Sequence, residues 1–130
     1  MLLLHPKIYK MLSYKNLDVW IHARALVKLV YECTKVFPKE EIFGLTSQMR
    51  RAAISVPLNI AEGNGRFHKK ETIHFMYISR GSLNELETAL YLSQDLGYLT
   101  EDGVNKLLNQ CEDCKKLING FIKYLERLNQ

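Results

Sequence analysis

The chain has few of the residues that define many functional classes. Of its 130 residues only three are cysteine, three proline, seven glycine and one tryptophan. Cys33, Cys111 and Cys114 are too few and odd in number for a disulfide framework, and they suit reduced thiols. The low glycine and proline content excludes collagen-like and low-complexity chains. No apolar run approaches the roughly 20 residues of a membrane helix. Leu2-Leu3-Leu4 is cut off at once by His5 and Pro6, too short for a signal-peptide core, so a cytoplasmic location is expected. There is no Gly-x-Ser-x-Gly, no phosphate-cradling glycine loop and no Cys and His pair with an orienting carboxylate, so no catalytic residue is assigned. No segment alternates as a strand would.

What is present is helical periodicity. At 47% hydrophobic and 25% charged residues, the length fits one domain with a real core. Trp20, Ala23, Val27, Val30, Thr34 and Phe37 recur at spacings of three and four, which predicts a first helix over 17–37, with Val19, Leu26 and Cys33 widening its apolar face. Asn16 or Asp18 is its expected cap and Pro38 its stop. A second helix is expected from Gly44 to Gly63-Asn64-Gly65, where a left-handed residue would close it. Pro57 lies well inside this helix, where it removes one hydrogen bond and predicts a bend, at a cost of about 3 kcal/mol. The third helix is expected over 69–96, with Phe75, Ile78, Ser82, Leu86, Ala89 and Leu96 inward and Gly97 as stop. Tyr77, Leu83, Leu90 and Tyr91 would then lie off the stripe and need cover. The fourth begins at the cap Thr100 and buries Val104, Leu107, Leu108, Cys111, Ile118, Ile122 and Leu125. Short connections favour an all-α, antiparallel, up-down-up-down four-helix bundle. Its expected core includes Trp20, Phe37, Ile60, Phe75, Ile78, Leu86, Leu107, Ile118 and Ile122. Residues 1–16 lack periodicity and read as an N-terminal extension to a bundle over 17–130; a real basic arm and a start at Met11 fit equally well.

Three ordered segments, SYKNLDVW (13–20), GLTSQMRRAAISVPLNIAEG (44–63) and FMYISRGSLNELE (75–87), resemble the bacterial four-helix-bundle family encoded in intervening sequences of 23S ribosomal RNA genes. The resemblance covers nearly the whole chain. It implies the bundle fold but supplies no reaction. It also implies kinship with accessory proteins of diversity-generating retroelements, basic pentameric barrels that engage nucleic acid and a reverse transcriptase. A homo-oligomer with a pentamer as best guess, and ribosomal or other structured RNA or a reverse transcriptase as partners, follow as expectations. Two departures from the family pattern are His68, where a serine or threonine cap is usual, and Leu58 after Pro57, where a small polar residue is usual.

Charge is distributed unevenly. Residues 44–80 hold six basic side chains against Glu62 and Glu71, whereas residues 81–130 hold five basic against eight acidic. Such asymmetry marks either a polyanion-binding surface or the pairing of basic with acidic helices. Arg50, Arg51, Arg66, Lys69 and Lys70, with Phe67 interleaved, form the candidate nucleic-acid site: clustered cations neutralise phosphates and an exposed aromatic stacks on an unpaired base. Asn59, Glu62, Arg80 and Glu87 are read as a structural polar network or subunit contact, with Arg80 level with Ala52 and Glu62 level with Lys70. Cys111-Glu-Asp-Cys114 has half of a zinc-site spacing, but the other half is missing. Glu71-Thr-Ile-His74 resembles one di-iron half-site without its second copy. No metal or cofactor is therefore assigned. The two readings left open are a non-enzymatic RNA-binding module and a homo-oligomeric scaffold.

Overall fold

A computed structural model describes residues 13–128 of the chain. Four helices account for most of that span: α1 Asp18–Thr34, α2 Leu45–Asn64, α3 Lys69–Asp95 and α4 Glu101–Arg127. No strand occurs among the described residues. Each helix packs on two neighbours in a closed ring, α1 on α2, α2 on α3, α3 on α4 and α4 on α1. Connections 35–44 and 96–100 lie at one end, here the upper; connection 65–68, the start of α1 and the end of α4 lie at the lower. Tyr14–Asn16 forms a 3-10 turn that packs on α1 and α2. Residues 1–12 of the expected extension lie outside the described residues.

The helix ends follow local chemistry. The Ser13 side chain caps the first turn, while α1 itself starts at Leu17 without a side-chain cap. It ends at Thr34 rather than at Phe37: beyond it the amides of Lys35 and Phe37 turn to the carbonyls of Glu32 and Thr34, three residues back, at 3.4 and 3.1 Å, and the Thr34 hydroxyl donates to the carbonyl of Val30 at 2.8 Å. Phe37 stays buried and meets the Tyr98 ring at 5.2 Å. α2 is capped from outside: Glu41 Oε1 accepts the amide of Leu45 at 3.1 Å and Oε2 accepts the Tyr98 hydroxyl at 2.8 Å. α3 closes through Gly97, φ +78°, with the amide of Tyr98 on the carbonyl of Ser93 at 2.9 Å and that of Gly97 on Gln94 at 3.0 Å. Thr100 caps α4 by accepting the Gly103 amide at 3.1 Å.

The lower corner differs from expectation. Neither Gly63, Asn64 nor Gly65 is left-handed. Gly63 instead permits close approach of two helices: a Cβ there would lie 2.7 Å from Phe75 Cβ and 3.2 Å from the carbonyl oxygen of Thr72. The Thr72 hydroxyl donates to the Gly63 carbonyl at 2.8 Å, Ser79 to Val56 at 2.9 Å, and Ser82 to the Ser55 hydroxyl at 2.8 Å. This seam of small polar groups zips α2 to α3 on either side of Pro57, which stays inside a continuous helix.

The core also corrects the phase of α3. Met76, Leu83, Leu86 and Leu90 are fully buried, together with Thr72, Ser79 and Ser93. Ile78, expected inside, is 38% exposed, and Leu96 lies outside as well. Trp20 and Phe75 are only partly buried against the core. Ile60, Leu86, Leu107, Ile118 and Ile122 are core as expected.

Candidate nucleic-acid interface

Connection 65–68 presents Phe67 at 71% exposure, its ring edge-on to His68 at 5.0 Å. Its basic flanks play different parts. Arg66 donates to Glu62 Oε1 at 2.7 Å and lays its guanidinium 4.9 Å from the centre of the Phe75 ring. Lys69 Nζ donates to the carbonyl of Leu128 at 2.7 Å. A cation is well placed there, where a helix ends with free carbonyls. That tie brings the last turn of α4, with the exposed Arg127, beside the loop. Lys70 is exposed. The lower end therefore groups Phe67, His68, Lys70 and Arg127 around two cations already committed to the fold.

Arg50 and Arg51 are elsewhere. They lie near the upper end of α2, roughly 20 Å along the axis from Arg66. Arg50 Nε donates to the Thr34 hydroxyl at 2.9 Å and its guanidinium covers the Tyr31 ring at 4.5 Å, fastening α2 to α1. Arg51 is exposed. The six residues chosen for nucleic acid thus fall into a lower group of four and an upper pair.

The four polar residues do not share one network either. Asn59 turns back on its own helix, donating to the carbonyl and hydroxyl of Ser55 at 2.8 and 2.9 Å. Glu62 faces Arg66 rather than Lys70, in an exposed pair that contributes little. Arg80 Nη1 donates to Asn119 Oδ1 at 2.8 Å under the Tyr77 ring, reaching α4 rather than α2. Glu87, two turns along the same face, pairs with Lys115 of α4, which also approaches Glu112 at 3.8 Å. Arg80 and Glu87 therefore clamp α3 to α4.

Cys111 and Cys114 face the core, and burial pushes both thiols up to about 12; burial also pushes Cys33 up to about 11, against a smaller pull from Arg50. Thiols so far above neutral pH are poor nucleophiles and ligands. Glu71 and His74 are exposed. Among the described residues no group of three or more His, Cys, Asp or Glu side chains converges as a metal site. No helix among them is long and apolar enough to cross a membrane. Arg127 and the Glu41–Tyr98 pair escape sequence reading, because both depend on long-range contacts. The serine and threonine seam had a visible signal in the spacing of Thr72, Ser79, Ser82 and Ser93.

Fold and site together define a small helical bundle with one cationic, aromatic end. The profile of the 23S rRNA-intervening sequence proteins matches residues 15–120, and the chain belongs to that family. The fold is also similar to that of a crystal structure of a protein of unknown function from the S23 ribosomal protein family of Bacteroides thetaiotaomicron. The two are 23% identical with a TM-score of 0.73 over 81% of this chain and 98% of that one. No match is found among curated proteins.

Proposed function

We propose that the protein is a non-enzymatic, self-assembling module that binds structured RNA through the lower end of its bundle. The observation behind this reading is Phe67, exposed on a short connection beside the His68 ring and followed by the exposed Lys70, at the corner to which Lys69 ties the end of α4. An exposed ring next to cations fits an unpaired base flanked by phosphates, as in a loop or bulge. Family membership points to ribosomal RNA or its intervening segment as the first RNA to try. Assembly would repeat the cationic end around an axis and multiply its affinity without new contacts.

A second reading, a scaffold whose charges serve only its own contacts, is favoured by Arg50, Arg66 and Lys69, each engaged within the chain. Fluorescence anisotropy with a labelled hairpin RNA, titrated at several salt concentrations, separates the two. The RNA reading expects log K to fall linearly with log salt, by about 0.7 per phosphate contact on single-stranded regions. No binding at low salt would leave the scaffold.

A further inference from the structure

A groove between α1 and α2 opens beside the lower end of the bundle. Its lining includes Tyr14, Trp20, Arg24, Ile54, Pro57 and Ala61. Tyr14 meets Trp20 edge-on at 5.2 Å, and the Arg24 guanidinium lies 5.5 Å from the centre of the Trp20 ring. Ala61 is one turn from the end of α2, about 6 Å along the axis from connection 65–68. The opening holds about 290 Å³. That is the lower limit of pockets that take drug-sized molecules, so it has room for one flat ring system and little else.

Its charge sets it apart from two other hollows. The groove at Phe43 includes the carboxylates of Glu41 and Asp95, and a cavity between α1 and α4 includes Glu32 with Lys106. In the α1–α2 groove the one charged group of the lining, among the described residues, is Arg24, which is exposed. The helices α1 and α2 together carry three acids, and each is engaged or directed elsewhere. Asp18 precedes Trp20 by two residues, which puts it on roughly the opposite side of α1. Glu32 lines the α1–α4 cavity, and Glu62 pairs with Arg66. Lys15, exposed next to Tyr14, and Lys28, exposed one turn above Arg24, add cations nearby. A narrow hollow with aromatic walls, an exposed guanidinium and no carboxylate suits a nucleobase with its phosphate. Bases stack on aromatic rings or on guanidinium planes, and the cation answers the phosphate.

We infer that this groove takes one unpaired base of the RNA held at the lower end, stacked against Trp20 with its phosphate on Arg24. This rests on the RNA half of the proposed function and adds a second base contact to that of Phe67.

Trp20 is the single tryptophan of the chain, so tryptophan fluorescence reports on this groove. Titrating the full chain with a hairpin RNA that has an unpaired loop should quench Trp20 emission in step with the anisotropy of the labelled RNA. The same hairpin with abasic loop nucleotides keeps its phosphates but lacks the loop bases. It should bind roughly tenfold or more weakly and leave the emission unchanged. Arg24→Gln, at an exposed position, should weaken binding of the intact hairpin several-fold and make its salt slope shallower by about 0.7. Phe67→Ala should weaken binding too, yet the quench at saturation should remain, because the two rings hold different bases. Binding of the intact hairpin without a quench, an equal quench by the abasic one, or an R24Q variant that binds as the parent does overturns the groove assignment while the Phe67 site stands. Emission that shifts with protein concentration alone, before RNA is added, means that a second copy covers the groove, and also overturns it. No binding of either hairpin at low salt overturns the RNA reading and this inference together.

Discussion

The two ends of the bundle each expose a phenylalanine on a connection between helices, and their surroundings differ. Phe43, above, lines a groove with Leu92 and Leu96, with the carboxylates of Glu41 and Asp95 in the same lining, and follows the exposed Ile42 in the chain. Phe67, below, meets the His68 ring and sits on a connection whose cations are Arg66, Lys69 and the exposed Lys70, with the end of α4 tied to it through Lys69. An exposed aromatic therefore does not by itself say what it meets. Apolar neighbours favour a protein surface, which must be desolvated over a wide area, whereas cations favour a base with its phosphates. The ends also differ in how they are fastened. The lower corner closes through backbone proximity at Gly63, the upper through a side-chain knot of Glu41, Tyr98 and the Leu45 amide.

The largest expected effect breaks the lower fastening. Gly63→Ala places a methyl against Phe75 Cβ and the Thr72 carbonyl, so α2 and α3 must move apart along the seam. A loss of about 3 kcal/mol is expected, read as a lower urea midpoint with an unchanged slope. Gly81→Ala is the control, since an added Cβ there meets nothing within 4 Å; it should be neutral or stabilising. Next in size, Phe67→Ala should weaken binding to a hairpin with an unpaired loop by about 2 kcal/mol, and binding to a blunt duplex less. It should leave the mass in light scattering unchanged. Smaller again, Lys70→Gln with Arg127→Gln should make the salt slope shallower by about 1.4 for two lost phosphate contacts on single-stranded RNA. Arg66 and Lys69 are poor choices for that test, since replacing them also removes contacts to Phe75 and Leu128.

The helix count, the connections and the Thr100 cap were legible in the sequence because each rests on local chemistry. The phase of α3 was not. Phe75, Met76, Tyr77 and Ile78 are consecutive apolar residues, so any face through that turn looks hydrophobic. The true inward face contains Thr72, Ser79 and Ser93, which hydropathy counts as outward, beside Ser82, which is buried as expected. These side chains are buried because each serves a carbonyl or hydroxyl on α2, or on its own helix in the case of Ser93. Gly63 was misread for a similar reason: a glycine at a helix end suggests a left-handed stop, and only the position of α3 shows that it makes room for a neighbour. Within the site, the lower group of cations was legible as a run, but nothing local marks Arg66 and Lys69 as bound to the fold, or the end of α4 as their neighbour, because the Lys69–Leu128 contact spans the chain.

The smallest expected effect concerns the upper fastening and its response to pH. The Glu41 carboxyl is held below its ordinary value, first by the Leu45 amide and then by the Tyr98 hydroxyl; the Tyr98 phenol is pushed up, first by that same bond to Glu41. A depressed carboxylate contributes stability above its unfolded pKa and loses it as pH falls through the lower folded value. A raised phenol contributes below its unfolded pKa and loses it as pH rises through the higher folded value. The knot is therefore fully formed between the unfolded values, around neutral pH, and loosens at both extremes. Glu41→Gln keeps an oxygen for the Leu45 amide but removes the charge, so its urea midpoint should lie slightly below the parent's at neutral pH and converge with it in acid. Tyr98→Phe should remove the alkaline loss while keeping the ring contact with Phe37. Hydrogen exchange at the Leu45 amide locates the effect: its protection factor, the rate relative to an unstructured amide at the same pH, should fall in acid in the parent, while the amides of the Gly63 corner keep their protection until the whole bundle unfolds. Equal loss at both ends would mean that Glu41 merely reports global unfolding, and that the two fastenings act as one.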